Sequence, residues 1–331
     1  MIRSFDWRDV GLVKSLSEQS VCLDSETGLI HGGHPLQQAL LAYLMPGAGA
    51  PTLVWKDNQL AAFGQLRHRF GDEQARMLSI APEWASVQEG WLHVAERLAV
   101  EAGERGAHNL IAEVNENSKE FEALRAAGFA IYARQSLWKL AGEIPPPRLR
   151  VPLRPVSSTD LIGLSTLYAN IVPRLVQQVE PPPYPLRGYV LEQQAELVAF
   201  LHVRRGPLGL WVEPYLHPEA DQLSEATLLT GLSLIPNESQ KPVYVCVRRY
   251  QDWLQDILMQ CGLEAIGAQA VMVKRLTAGV TEPLLKPLPA IEGQVPTTTP
   301  IVRARTVTYD EEGAAGRIFF RRVEVYAKTN Y

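Results

Sequence analysis

The feature that most constrains this 331-residue sequence is that it repeats itself, in order. Ile2-Arg3-Ser4-Phe5, followed by Asp9-Val10-Gly11-Leu12, is echoed 151 residues later by Leu153-Arg154-Pro155-Val156 and Asp160-Leu161-Ile162-Gly163. Leu60-Ala61-Ala62-Phe63-Gly64-Gln65-Leu66-Arg67 matches Leu197-Val198-Ala199-Phe200-Leu201-His202-Val203-Arg204 at an offset of 137. Ala81-Pro82-Glu83 matches His217-Pro218-Glu219 at 136, and Ala127-Gly128-Phe129 matches Cys261-Gly262-Leu263 at 134. The order is kept while the offset shrinks steadily, as expected of two copies of one domain whose second copy has a shortened first half. Each copy opens as a short strand carrying an arginine, then a polar turn with Asp9 or Asp160 as helix N-cap.

Length alone also predicts two domains of this size. The boundaries read as a first domain at 1–143, a linker at 144–151 stiffened by Pro145-Pro146-Pro147, a second domain at 152–277, and an extension at 278–331. In the extension, a Pro- and Thr-rich stretch precedes two alternating segments, Ile301 to Val307 and Arg317 to Ala327, around Asp310-Glu311-Glu312-Gly313. They predict a hairpin whose Ile318-Phe319-Phe320 would dock on a domain, on a protein partner or on a second copy. Pro181-Pro182-Pro183-Tyr184-Pro185 reads as a surface loop.

Composition sets the remaining bounds. With 46% apolar residues there is material for two cores, and a net charge of −4 argues against nucleic acid as a partner. No apolar run approaches the roughly 18 residues of a membrane span, and Asp6 and Asp9 stand where a secretory signal needs apolar residues. Cys22, Cys246 and Cys261 lack C-x-x-C spacing, the pattern of reduced, packed thiols in a cytoplasmic protein.

Within the first copy, strand Ile2–Phe5 is followed by helical segments at about 9–17 and 36–44. A hairpin of Thr52–Trp55 and Leu60–Arg69 comes next, then a strand at Ala75–Ile80. From Gln88 to Ala102, apolar residues at Trp91, Val94, Ala95, Leu98 and Ala102 have amphipathic-helix spacing. A buried strand at Asn109–Val114, a helix from Ser118 to Ala127 stopped by Gly128, and a last strand pair at Ala130–Ala133 and Ser136–Leu140 close the copy. The order is that of an α/β (mixed α+β) sheet with a right-handed crossover.

Leu78-Ser79-Ile80-Ala81-Pro82-Glu83, the helix from Gly90, Glu113-Val114-Asn115-Glu116-Asn117 and Gly128-Phe129 resemble the GNAT (N-acetyltransferase-like) superfamily, over about residues 2–141 and more faintly 152–277. The resemblance implies two tandem GNAT-like domains. In that family the strand before the long helix splays from its neighbour, and acetyl-CoA lies in the gap with its pyrophosphate on the helix N-terminus. It puts the pantetheine arm on the backbone of Ser79, Ile80 and Ala81, and the pyrophosphate at Ser86, Val87, Gln88, Glu89 and Gly90. Asn117 falls near the cofactor arm, or simply caps the next helix. Glu113 is the candidate general base, or a salt-bridged carboxylate. Tyr132 is a candidate proton donor, or a packing residue. His31 and His34 lie where relatives shape the acceptor pocket, or in a plain glycine-rich connection; no third ligand makes them a metal site.

Two departures cut across that pattern. The family's phosphate loop, Arg/Gln-x-x-Gly-x-Gly/Ala, reads Ala85-Ser86-Val87-Gln88-Glu89-Gly90 here and Asp221-Gln222-Leu223-Ser224-Glu225-Ala226 in the second copy. The catalytic tyrosine of many relatives, four residues before the glycine of Gly-Phe, is Leu124 or Leu258. Two functions follow: an acyl-CoA-dependent N-acyltransferase, active in the first copy on a small-molecule or peptide amine, or a catalytically inactive binding or scaffold protein that no longer takes CoA.

Overall fold

A computed structural model describes residues 1–276 apart from 46, 58–59, 70, 141 and 238–239. The expected hairpin and docking arm at 278–331 lie outside the described residues. The first repeat runs β1 (Ile2–Ser4), α1 (Val10–Ser17), β2 (Val21–Cys22), α2 (Pro35–Leu44), β3 (Thr52–Asp57), β4 (Leu60–His68), β5 (Gln74–Ala81), α3 (Gln88–Glu104), β6 (Asn109–Val114), α4 (Lys119–Ala126), β7 (Ala130–Leu140). The second runs β8 (Arg154–Pro155), α5 (Leu161–Ile171), α6 (Arg174–Gln177), β9 (Gly188–Gln193), β10 (Glu196–Arg205), β11 (Leu210–Leu216), α7 (Asp221–Leu234), β12 (Val243–Arg248), α8 (Gln255–Gln260), β13 (Leu263–Arg275).

The repeated arginine and aspartate have a shared physical job. Arg3 grips Asp9 through two hydrogen bonds of 2.7 and 2.8 Å, and Arg154 grips Asp160 through two of 2.8 Å. Such fork-to-carboxylate pairs tie β1 and β8 to the helix that follows. The arginine fork, ahead of the opposing effect of burial, holds the Asp160 carboxyl down at about 2. Asp9 and Asp160 stand at the N-cap positions of α1 and α5, as expected from sequence, but their side chains make no capping bond to those helices and instead close the single turns just before them. Asp6 and Ser157 cap those turns, and Asp9 and Asp160 are the third residues of the capping boxes, accepting the backbone N–H of Asp6 and Ser157.

All the strands among the described residues join one sheet, in the order β1-β3-β4-β5-β6-β13-β7-β12-β11-β10-β9-β8, with β2 paired to β5. Exchange each strand for its counterpart in the other repeat and the order reads the same backwards, so the sheet has a pseudo-two-fold axis between β7 and β13. Gln135 and Gln269 face each other on that axis, joined by a 2.9 Å hydrogen bond. The last strand of each repeat has crossed over. β13 lies against β6, and β7 lies against β12. The expected closing pair at 130–133 and 136–140 is therefore one strand that leaves its own repeat, because its alternating apolar residues meet partners only across the axis.

Helices cover both faces. Trp55, Ala62, Leu66, Met77 and Ile80 pack under α3, whereas Phe5, Val54, Phe63 and Ala81 pack under α1 and α2. Close approach of helix to sheet demands one small residue per contact. In the first repeat it is Gly64 on β4, where a Cβ would lie 2.4 Å from Val94. In the second the small residue has moved to the helix: Leu201 occupies the strand, and a Cβ on Gly231 would lie 2.0 Å from it.

Strand exchange makes a specific prediction. A protease site inserted in the exposed linker around Arg148 and Leu149 should cut the chain without separating it. The two halves should co-elute as one species under native conditions and part only in denaturant. Halves that separate natively would contradict the exchanged sheet.

Candidate functional site

In the first repeat, parallel strands β5 and β6 pair only at their starts, Gln74 to Arg76 against Asn109 to Ile111, and then part. That gap is the splay expected from sequence. It is filled by the chain itself. Val21 and Cys22 pair antiparallel with Ile80 and Ser79, Leu23 N–H donates to Leu78 C=O at 2.9 Å, and Leu23 C=O accepts Glu113 N–H at 2.8 Å. The short strand thus bridges both walls. Its sequence suits the place, because Leu23 is buried in the core beneath α3 with Val21 packed against it. The main-chain groups of Ser79 and Ile80, expected to hold pantetheine, face Cys22 and Val21 instead. Ala81 continues β5, opposite Phe63 on β4.

The segment beyond β2 is held by charge. Asp24, wholly buried, pairs with Arg67 at 2.9 Å, faces Arg76 at 3.6 Å and accepts the Thr27 hydroxyl at 2.5 Å. Burial alone would raise the Asp24 pKa, but Arg67, Arg76 and Thr27 outweigh it and hold the carboxyl below its ordinary value. Glu113 accepts Ser25 N–H at 2.9 Å with one oxygen and pairs with Arg76 at 3.0 Å through the other. Tyr132 donates to Glu180, which pairs with Arg248 at 2.5 Å and lies 3.8 Å from Arg76. Burial and then the Glu180 charge push the Tyr132 hydroxyl well above its ordinary pKa. On the other repeat Arg204 pairs with Glu26 at 3.1 Å and with Glu213. Glu113 and Tyr132 are therefore brought into one network, and every partner named for them here is a protein group.

The other expected residues fall elsewhere. Ser86, Gln88 and Glu89 are exposed at the start of α3, Val87 packs into the core, and Ser86 N–H closes a turn onto Glu83. Gly90 lies against Trp55, whose ring a Cβ would meet at 2.5 Å, so packing accounts for the glycine. Asn117 is exposed and Ser118 is the N-cap of α4, accepting from Phe121 N–H, which corrects the capping role given to Asn117. His31 and His34 are both exposed, beside a segment that crosses to the second repeat, where Ile30 C=O accepts Leu208 N–H at 2.9 Å. Leu124 and Leu258 point into the two cores. Among the described residues no group of His, Cys, Asp and Glu is arranged to hold a metal, and no helix is long and apolar enough to cross a membrane. A cleft of about 310 Å³ among Phe5, Tyr43, Gly49, His68 and Arg105 includes none of the expected residues.

The second repeat has the matching splay. β11 and β12 pair at Leu210 to Val212 against Val243 to Val245 and then diverge. Here a side chain takes the β11 edge. The buried Gln251 accepts Leu216 N–H at 2.9 Å and donates to Pro214 C=O at 2.8 Å. Sequence reasoning gave Gln251, 134 residues after Asn117, no role. It passed over Val21–Leu23, although an apolar run between polar Ser20 and Asp24 is a strand signal.

No protein-family model and no curated protein matches the chain. Solved structures do. A GCN5-related N-acetyltransferase from Sphaerobacter thermophilus matches 83% of this chain and 95% of its own, at 10% identity and a TM-score of 0.55. The glucosamine N-acetyltransferase region of a fungal multi-domain GH3 beta-N-acetylglucosaminidase matches 83% of this chain and 38% of its own, at 10% identity and 0.52. A tandem GNAT protein from the clavulanic acid biosynthesis pathway matches at 15% identity and 0.48, over 83% of this chain and 98% of its own. The likeness is one of fold: the chain is built on the GNAT fold.

Removing the charge from Asp24 should show how much of the junction rests on it. Asp24→Asn leaves Arg67 and Arg76 short of a buried counter-charge, a change that costs about 3–5 kcal/mol in comparable pairs. Chemical denaturation should report a loss of that order. Since the folded pKa of Asp24 is depressed, its contribution is complete above about pH 4 and is lost as pH falls through the folded value. The variant should accordingly show a flatter loss of stability below pH 4 than the parent.

Proposed function

We propose that this chain is a GNAT-fold protein that no longer transfers acyl groups and serves as a two-lobed binding platform. One observation carries the reading: the splay that would take the pantetheine arm is filled in the first repeat by a strand of the chain itself, and in the second repeat the β11 edge that would receive the arm is taken by a buried side chain. In the first, a main-chain strand is fastened to both walls and anchored by a buried aspartate. In the second, a buried carboxamide meets the corresponding donor and acceptor on β11.

Acetyl-CoA, which the fold implies, does not fit these residues. Its arm would have to displace Val21–Leu23, whose neighbour Asp24 is held by two arginines. At the start of α3, Glu89 is 76% exposed and adds negative charge where a pyrophosphate would sit. Gln88 puts a side chain where the phosphate loop of the fold's enzymes has glycine. The leucines at 124 and 258 have no proton to give a departing thiolate. Glu113 and Tyr132, the two groups best placed to move a proton near the first splay, are engaged with Arg76, Ser25 and Glu180. What remains is one continuous sheet shared by the two repeats, which would serve to hold a partner.

Titration of acetyl-CoA into the full chain, followed by calorimetry, tests this. No heat is expected up to millimolar ligand. Glu89→Gly should not restore binding, because the obstruction lies in the splay and not in the phosphate loop. Micromolar binding at about one per chain would return the protein to the acyltransferase class, with the first repeat as the active one.

A further inference from the structure

We propose that the splay of the second repeat is a binding site for an extended peptide main chain, entering between β11 and β12 as Val21–Leu23 enters between β5 and β6. This rests on the reading that acyl-CoA does not take the slot. The argument is the comparison of two related slots in one molecule. Leu78 and Pro214 hold equivalent positions on β5 and β11, 136 residues apart, as do Ile80 and Leu216. In the first repeat Leu78 C=O accepts the N–H of Leu23, and Ile80 stands opposite Val21. In the second, Pro214 C=O accepts from the Gln251 amide nitrogen and Leu216 N–H donates to the Gln251 amide oxygen. One carboxamide thus does for β11 what a length of peptide does for β5.

The difference lies in what holds each occupant. Val21–Leu23 is part of the main chain and continues into the buried Asp24. The corresponding chain of the second repeat does not enter. At the offset of the opening match, Val21–Leu23 corresponds to Val172–Arg174, and there the chain turns instead into α6. Gln251 sits in a turn at 249–254 with non-helical backbone. An incoming strand would have to displace this one buried side chain rather than a length of main chain, and its own N–H and C=O would then replace the carboxamide at Pro214 C=O and Leu216 N–H, the pairing by which a peptide adds to a sheet.

The side chains such a peptide needs follow from the walls. Leu216 faces the core built from Leu254 and Leu258, while Tyr215 faces the opposite side with Tyr250 nearby. A strand in the slot would alternate, apolar residues toward the leucines and a small residue between them toward Tyr215 and Tyr250, which pack against Tyr168, Val172 and Val176. Val21-Cys22-Leu23 has that pattern.

The test uses the full chain and a capped heptapeptide of the Gln19–Ser25 sequence carrying Cys22→Ser. Calorimetry on the parent protein and on Gln251→Ala should give one site per chain, with binding at least tenfold tighter in the variant, where no side chain competes. Hydrogen exchange should show protection of the Leu216 amide by peptide in the variant. N-methylation of the peptide's leucine nitrogen should weaken binding at least tenfold in either protein, since Pro214 C=O then has no donor. Should Gln251→Ala not fold, the parent protein with the two peptides still decides. No binding at millimolar peptide, or binding indifferent to N-methylation, overturns the proposal and leaves the loss of acyl transfer untouched. Peptide released by acetyl-CoA would instead count against that loss, and against a slot reserved for peptide.

Discussion

Everything in this protein hangs on the antiparallel pairing of β7 with β13 at the centre of the sheet. Each strand is the last of its repeat, and each is flanked on the far side by a strand of the other repeat. Neither repeat can therefore complete its own sheet, since the hydrogen bonds along the far edge of β6 and of β12 come from the other half of the chain. An open edge at either place would be an exposed row of donors and acceptors. Exchange removes both edges at once and makes the two repeats one cooperative body.

That central pairing also decides where charge can be buried. Placing β5 and β6 of one repeat near β11 and β12 of the other gathers four arginines, Arg67, Arg76, Arg204 and Arg248, among Asp24, Glu26, Glu113, Glu180 and Glu213. Partners come from both repeats: Glu180 reaches Arg76, and Glu26 reaches Arg204. Buried ions of this kind add little net stability compared with apolar packing, but removing one partner is costly, so they define a single arrangement of the two halves. Glu213 shows the balance. Burial would raise its pKa, yet Arg204, followed by His202 and Trp211, holds it well below the ordinary value.

The two splays share an origin in the fold and differ in what meets their edges. A parallel pair followed by divergence leaves N–H and C=O groups that must be satisfied somewhere, because unpaired buried groups are expensive. In an enzyme of this fold a ligand can satisfy them. Here the first repeat uses a strand of its own and the second uses Gln251. The same physical demand has thus been met twice, by different means, at equivalent positions of one chain.

Much of the architecture was legible in the residues themselves. Arg3 with Asp9 and Arg154 with Asp160 marked the repeat because the fork and the capping box both need those two residue types at that spacing. The apolar period from Trp91 to Ala102 predicted α3, and Gly128 its neighbour's end, since helix periodicity and left-handed backbone are local properties. The sequence by itself thus determined the duplicated order of strands and helices and the absence of the phosphate-loop glycine and tyrosine. Only the tertiary structure decided which strand closes each repeat and what meets the edges of each splay. Register between distant strands, and the use of Val21–Leu23 or Gln251 to satisfy a remote backbone edge, depend on contacts between residues far apart in sequence, and no local pattern encodes them.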